Sequence, residues 1–156
     1  MKEVYREKVK RANLVEATRA EQVAVVRGLF AEYARFVDEP ACFVDFEREL
    51  DALPGDYRLL LAEDAAGCVA VRFLDPKTAE MKRLYVRSTH RGKGLGRALA
   101  EAAIAIAREA GCARILLDTL PKMREAQALY EFLGFKRTAP YLREPTPGAL
   151  CFELKL

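Results

Sequence analysis

Three glycines alternate with larger residues in the segment Arg91-Gly92-Lys93-Gly94-Leu95-Gly96, which is the part of the sequence best suited to chemistry. Alternate glycines leave no side chain between the backbone and a ligand, so consecutive N–H groups can point into one concavity. A helix that begins here adds unpaired N–H groups and the positive end of its dipole. Arg91, Lys93 and Arg97 add formal positive charge. The segment therefore predicts an anion-binding site, and a pyrophosphate is the ligand that we expect.

The spacing of these glycines disfavours two common nucleotide-binding loops. A Walker loop requires G-x-x-x-x-G-K-[ST], whereas here Lys93 precedes the helix-forming glycines and no Ser or Thr follows it. The dinucleotide pattern G-x-G-x-x-G also fails, because its sixth position is Arg97 when counted from Gly92 and Leu99 when counted from Gly94. Hydrolysis of a nucleoside triphosphate and nicotinamide or flavin chemistry are therefore both disfavoured.

The elements that must position this loop form an α+β pattern. A helix is predicted over 94–110, because apolar residues recur on one face and Gly111 is placed to cap its end. Three antiparallel strands are predicted before the loop, at 58–63, 68–74 and 80–86. The other predicted elements are a strand at 12–17, a helix started by the capping box T-R-A-E at 18–21 and ended before Pro40, a short helix within 43–53, a strand at 114–119, a helix at 122–133 and a strand at 149–156. Together they predict a mixed, mostly antiparallel central sheet of six to seven strands flanked by about four helices.

The glycine segment, placed after Leu84-Tyr85-Val86 and before a helix, resembles the R/Q-x-x-G-x-G/A element of the GNAT superfamily of acyl-CoA-dependent N-acyltransferases. Residues 79–86 resemble that family's fourth strand, and A-Q-A-L-Y-E-F-L-G-F at 126–135 resembles its A-x-x-L-Y-x-x-x-G-F signature. The resemblance implies a GNAT-like fold, one N-acetyltransferase domain over 1–156, acetyl-CoA as the acyl donor and no metal. Met123 stands where many members carry an asparagine, so that contact to the cofactor is not expected.

The resemblance also implies which residues hold coenzyme A. The pyrophosphate is expected on the amides of residues 92–97, and the pantetheine arm beside the backbone of residues 84–86, in a gap where two strands splay. The N–H of Val86 is the implied donor to the thioester oxygen. The cofactor-binding residues predicted in this way are Leu84, Tyr85, Val86, Arg91, Gly92, Lys93, Gly94, Leu95, Gly96 and Arg97.

Two further side chains are implied to take part in the reaction. Glu80 occupies the family's usual carboxylate position and would remove a proton from the amine, directly or through a water. The alternative for Glu80 is a solvated strand residue paired with Lys82 or Arg83. Tyr130 would donate a proton to the departing thiolate, and its alternative is a half-buried packing role.

The acceptor pocket is expected between the first two helices and the loop at 138–148. Aromatic walls suit a small amphipathic amine, and Arg83 could bind the carboxylate of an amino-acid-like acceptor. The substrate-binding residues predicted on this basis are Tyr33, Phe36, Arg83 and Tyr141.

The expected function is transfer of an acetyl group from acetyl-CoA to a primary amine of a small molecule or peptide, by direct attack in a ternary complex. Two alternatives stay open: a non-catalytic acyl-CoA sensor or regulatory module, and a nucleotide-binding protein that uses the same glycines. A covalent acyl-cysteine route is disfavoured, since no histidine is placed to activate a cysteine.

Composition narrows the setting. The chain has 156 residues, a net charge of +3, and 51% hydrophobic and 31% charged residues, with neither a long apolar stretch nor a run of like charges. These values favour a globular protein that binds neither membrane nor nucleic acid. The four cysteines are scattered singly and predict reduced packing residues. The charged N-terminus predicts a cytoplasmic location. A homodimer stays open.

Overall fold

Seven strands form one sheet in the part of the chain that a computed structural model describes, namely Glu3, Arg6, Glu7 and residues 13–156. The sheet order is β1-β2-β3-β4-β5-β7-β6, and all neighbours are antiparallel except the parallel pair β4 and β5. The strands are β1 (Leu14–Glu16), β2 (Tyr57–Ala62), β3 (Gly67–Asp75), β4 (Thr78–Val86), β5 (Arg114–Thr119), β6 (Lys136–Thr138) and β7 (Leu150–Lys155). The predicted mixed, mostly antiparallel sheet is confirmed.

Within residues 13–156, four α-helices cover the two faces of this sheet: α1 (Ala20–Val37), α2 (Phe46–Ala52), α3 (Leu95–Glu109) and α4 (Arg124–Phe132). Side chains alternate along β2, so Leu59 and Leu61 face the core under α1, while Leu60 faces the core under α3. The α1 stripe buries Leu29 and Phe30 completely. The two helices thus fix opposite faces of the strands that carry the site.

One sequence prediction needs correction, one lies partly outside the described residues, and one strand was missed. The capping box is wrong in register: Arg19 is the N-cap of α1, and the Oε1 of Gln22 accepts from the backbone N–H groups of Thr18 and Arg19 at 3.2 and 3.1 Å. Strand β6 was not predicted, because three polar residues show no periodicity. Ala12, where the first predicted strand begins, lies outside the described residues.

The parallel pairing of β4 with β5 covers three residues of each strand, Thr78 to Glu80 against Arg114 to Leu116. Past Glu80, β4 continues beside β3 alone and β5 continues beside β7. A β-bulge in β4 accompanies this divergence: the register with β3 shifts between Cys68 and Ala70, and Arg83 has a φ of 57°. Because a bulge bends its strand, β4 turns away from β5 and a gap opens between them.

Candidate active site

Two cavities lie at the gap between β4 and β5. The loop cavity, of about 480 Å³, lies against the glycine segment and the start of α4; its lining includes Tyr33, Phe36, Leu84, Tyr85, Val86, Arg91, Gly92, Gly94, Leu95, Gly96, Lys122, Met123, Arg124, Ala126 and Leu129. The sheet cavity, of about 780 Å³, lies below α2; its lining includes Tyr33, Glu49, Tyr57, Arg72, Lys82, Arg83, Leu84, Asp118, Met123, Ala126 and Tyr130. Tyr33, Leu84, Met123 and Ala126 line both cavities. The two spaces therefore meet at the gap.

The glycine segment leaves backbone donors open at the loop cavity. Gly92 and Gly94 have φ values of 78° and 82°, a conformation that glycine adopts without strain. Gly94 is the N-cap of α3 and has no side chain to cap the N–H groups of the first turn. A Cβ on Gly92 or Gly94 would meet no protein atom within 4 Å. Free N–H groups beside open space are what an anion needs.

The cations around this segment are arranged differently from the prediction. Arg91 lines the cavity, where its Nε donates to the carbonyl of Val86 at 2.9 Å and its guanidinium lies 4.5 Å from the ring centre of Phe36. The Nε of Arg97 instead pairs with Glu101 at 2.8 Å along α3. Neither Arg97 nor the exposed Lys93 lines the cavity.

Two cations that were not predicted from sequence lie on the other side of the loop cavity. Lys122 and Arg124 line it from the segment that leads into α4. The Nζ of Lys122 donates to the carbonyl of Val37, at the end of α1. No local signal marks them, because they reach the cavity through the parallel pairing of β4 and β5, which puts the loops after both strands at one edge of the sheet.

The exposed edge of β4 faces the gap. The N–H of Arg87 donates to the carbonyl of Ala66 at 2.9 Å, and Val86 lies opposite Gly67 in the same register. Backbone groups alternate along an antiparallel pair, so the N–H of Val86 points away from β3. It points to the side where β5 has diverged, which agrees with its predicted role as a donor.

Glu80 lies at the apex of the gap and is completely buried. Its Oε1 accepts from the Nε of Arg72 at 2.7 Å, and its Oε2 accepts from the hydroxyl of Tyr141 at 2.6 Å. The alternative of a solvated residue paired with Lys82 or Arg83 is therefore wrong. Burial, followed by the Glu80 charge, raises the pKa of Tyr141, so this phenol stays protonated. Glu80 lines neither cavity directly.

Asp118 is a carboxylate at the gap that was not predicted from sequence. It lies near the end of β5 and lines the sheet cavity. Burial raises the pKa of Asp118, and the charge of Glu80 raises it further. A half-buried carboxylate with a raised pKa is a better proton acceptor than an ordinary one.

Tyr130 projects from α4 into the sheet cavity and is 6% exposed. Its ring lies 5.8 Å from that of Phe135 and 6.2 Å from that of Phe152, between centres. In the part of the chain that the structure describes, its hydroxyl makes no hydrogen bond. Burial raises the pKa of this phenol, which keeps it a donor. The ring packs, and the hydroxyl is left for a ligand.

The four predicted acceptor residues separate in space. Tyr33 lines both cavities, and burial raises its pKa to about 12. Phe36 lines the loop cavity and not the sheet cavity. Arg83 lines the sheet cavity, but its Nη2 already lies 3.0 Å from Glu49, so an acceptor carboxylate would compete with this ion pair. Tyr141 lines neither cavity and instead supports Glu80.

A family model described as "Acetyltransferase (GNAT) family" matches residues 23–135. The chain belongs to the GNAT acetyltransferase family. An uncharacterized N-acetyltransferase of Schizosaccharomyces pombe is 41% identical over 103 residues, which cover 63% of each chain. The match thus spans less than two thirds of that relative's length.

Solved structures confirm the GNAT fold. An acetyltransferase of Streptococcus agalactiae matches with a TM-score of 0.74 at 20% identity, over 92% of this chain and 97% of that one. A GNAT family acetyltransferase of Elizabethkingia anophelis, solved with acetyl-CoA bound, matches with a TM-score of 0.60 at 20% identity, over 70% and 82% of the two chains. Among the described residues of this GNAT protein, no helix has the length and apolarity to span a membrane, and no three or more His, Cys, Asp or Glu side chains are grouped as metal ligands would be.

Proposed function

We propose that the protein transfers an acetyl group from acetyl-CoA to a primary amine by direct attack in a ternary complex. The observation that carries this proposal is that the loop cavity and the sheet cavity meet at the gap between β4 and β5. One cavity offers free amides and cations, and the other offers buried titratable groups. Two ligands that enter from opposite sides can therefore touch at the gap.

The residues at the loop cavity suit coenzyme A. The amides after Gly92 and the cations Arg91 and Arg124 would hold its pyrophosphate, and the edge of β4 would pair with its pantetheine arm. When bound, acetyl-CoA supplies an activated acyl carbon. The N–H of Val86 would stabilise negative charge on the acyl oxygen. Family membership and the acetyl-CoA bound to the Elizabethkingia protein support this assignment.

The residues at the sheet cavity suit proton transfer. We propose that Asp118 accepts the proton of the attacking amine, because it lines the cavity and its pKa is raised. Glu80, the base predicted from sequence, would act by holding the pKa of Asp118 up through its charge. Tyr130 would donate to the departing thiolate. The whole chain would form one catalytic domain, and its four free thiols suit the reducing cytoplasm.

An acceptor screen tests the proposal. Purified protein is incubated with acetyl-CoA and a panel of primary amines, and release of free coenzyme A is measured. Amine-dependent release is the expected result. Stabilisation by acetyl-CoA without release for any amine would favour a sensor instead. Stabilisation by ATP or NAD, but not by coenzyme A, would favour a nucleotide-binding protein.

The variant Glu80→Gln separates the two carboxylates. Removing the Glu80 charge should lower the pKa of Asp118, because that charge raises it in the native protein. Since Asp118 accepts a proton only when ionised, the acidic limb of kcat against pH should move to lower pH. The measurement is a pH profile with one saturating amine throughout, so that the titration of the acceptor is common to both proteins.

Asp118→Asn is the matched variant for this test. It should lower kcat about a hundredfold at every pH, the usual contribution of a general base. An inactive Glu80→Gln protein beside an active Asp118→Asn protein would assign the base to Glu80.

A further inference from the structure

Of three cations on the β3 and β4 side of the sheet cavity, one forms no ion pair in the described part of the chain. Arg72, Lys82 and Arg83 line it on the β3 and β4 side. Arg72 is paired with Glu80 at 2.7 Å, and Arg83 with Glu49 at 3.0 Å. No hydrogen bond or ion pair of Lys82 occurs in the described part of the chain. Lys82 is thus the inner cation without a counterion.

Glu80 and Glu49 cannot supply an ion pair for Lys82. Both oxygens of Glu80 already accept hydrogen bonds, from Arg72 and Tyr141. Glu49 accepts from the Nη2 of Arg83 with both oxygens, and also from the hydroxyl of Tyr57. Each carboxylate is therefore committed to a guanidinium and a phenol.

The side chain of Lys82 faces the sheet cavity at the gap. Lys82 follows Glu80 by two residues on β4, so both side chains project from the same face of the sheet. Burial lowers the pKa of Lys82, and the charge of Arg83 lowers it further. In the same cavity, the Nε of Arg83 is buried and has no hydrogen-bond partner in the described structure. Lys82, which lines the cavity, is thus the side chain of the two whose N–H groups an anion from outside the protein can reach, because the Arg83 Nε is enclosed.

The strand on the other side of the gap, β5, carries a negative charge that complements that of Lys82. Asp118 lines the same cavity from β5, and in the described residues it forms no ion pair within 4.0 Å. The rim of the cavity is acidic, since the exposed residues Asp45, Asp56 and Glu144 outnumber Arg48. A ligand with an ammonium and an anionic group could pair with Asp118 and Lys82 at the same time.

We propose that the acceptor is an amine that also carries an anionic group, a carboxylate or a phosphate, which Lys82 binds while the amine lies toward Asp118. This inference rests on the proposed function and names the substrate class for it. It replaces the sequence-based assignment of an acceptor carboxylate to Arg83, whose Nη2 is bonded to Glu49.

Matched pairs of amines test the proposal. β-Alanine and β-alaninamide differ in a carboxylate, while phosphoethanolamine and ethanolamine, and glucosamine 6-phosphate and glucosamine, differ in a phosphate. Values of kcat/KM are compared at equal concentrations of neutral amine. The anionic member of at least one pair should be preferred about tenfold or more, the effect of one charge-assisted hydrogen bond. The preferred pair then tells a carboxylate from a phosphate.

Lys82→Gln should abolish this preference by raising KM for the anionic member alone. It should fold, because it removes a half-buried charge without a counterion, and Lys82→Arg should keep the preference. Lys155→Gln is the control: Lys155 is exposed and lies opposite Arg114, at the end of β5 away from the gap. Its preference should match that of the unaltered protein.

Each outcome bears on one claim. Acetylation of neutral and anionic amines at equal rates would overturn the inference and leave the proposed function intact. If no amine is acetylated, the proposed function fails, and the thermal shift of the coenzyme A complex with each amine decides the inference. A shift with anionic members that Lys82→Gln abolishes would support the anion site, and no shift would overturn it.

Discussion

Gly94→Val should weaken coenzyme A binding about a hundredfold, the loss of two or so charge-assisted hydrogen bonds. The native φ of 82° is strained for any residue with a Cβ, and more so for a branched one. The added side chain would also occupy space that no protein atom fills within 4 Å of a Cβ at this position, beside the free amides of α3. Isothermal titration with coenzyme A measures the change.

Gly111→Val provides a matched control for the backbone strain. Gly111 has a φ of 81°, also has no protein atom within 4 Å of an added Cβ, and follows the other end of α3. Both variants should lower Tm by similar amounts, because each forces a branched residue into the left-handed region. Coenzyme A affinity should change only in Gly94→Val. An equal loss of affinity in both would mean that strain, and not the anion site, determines binding.

Regular elements were predictable where a local pattern determines them. Strand β5 has the predicted bounds, because Gly111 and Pro121 limit the apolar run on both sides and leave room for one short strand. Helix α3 was predicted to within a residue at each end, since glycines flank an apolar stripe. The glycine segment was predictable for the same reason. Its proposed contacts come from the backbone, and neighbouring residues alone fix the conformation of that backbone.

The lining of the sheet cavity could not be predicted in the same way, because it depends on how strands that are separated in sequence pair with one another. Glu80 meets Arg72 because these residues are opposite each other across β3 and β4, and it meets Tyr141 through a loop 61 residues away in sequence. Asp118 and Lys82 are single polar residues with no motif. They line the same cavity only because β4 bends away from β5, which leaves Lys82 on one side of the gap and Asp118 on the other.

Side-chain direction was also beyond prediction. The Arg97 guanidinium pairs with Glu101 four residues along α3 and lies 4.7 Å from the ring centre of Phe132, while its contact with the cofactor stays a prediction. An i,i+4 partner on the same helix competes with any ligand for a guanidinium. Arg124 and Lys122 approach the cavity from a different element, which the sequence near the loop does not reveal.

Tyr130→Phe should lower kcat about a hundredfold, within the range for a lost general acid, and leave coenzyme A affinity unchanged. The substitution removes one oxygen and keeps the ring between Phe135 and Phe152. Burial raises the pKa of the native phenol, so it stays protonated across the working pH range and can donate to a thiolate. Steady-state kinetics together with titration of coenzyme A separate the two effects.

Stability gives an independent test of the same hydroxyl. The Tyr130 hydroxyl has no hydrogen-bond partner in the described structure, so Tyr130→Phe should keep or raise the free energy of unfolding. Tyr57→Phe is the matched variant, since its hydroxyl lies in the same cavity and donates to Glu49. It should lower the free energy of unfolding by about 1 kcal/mol and change kcat only slightly. The Tyr130 hydroxyl does not stabilise the fold, so we expect it to serve the reaction. If the two variants lose activity equally, this expectation is wrong.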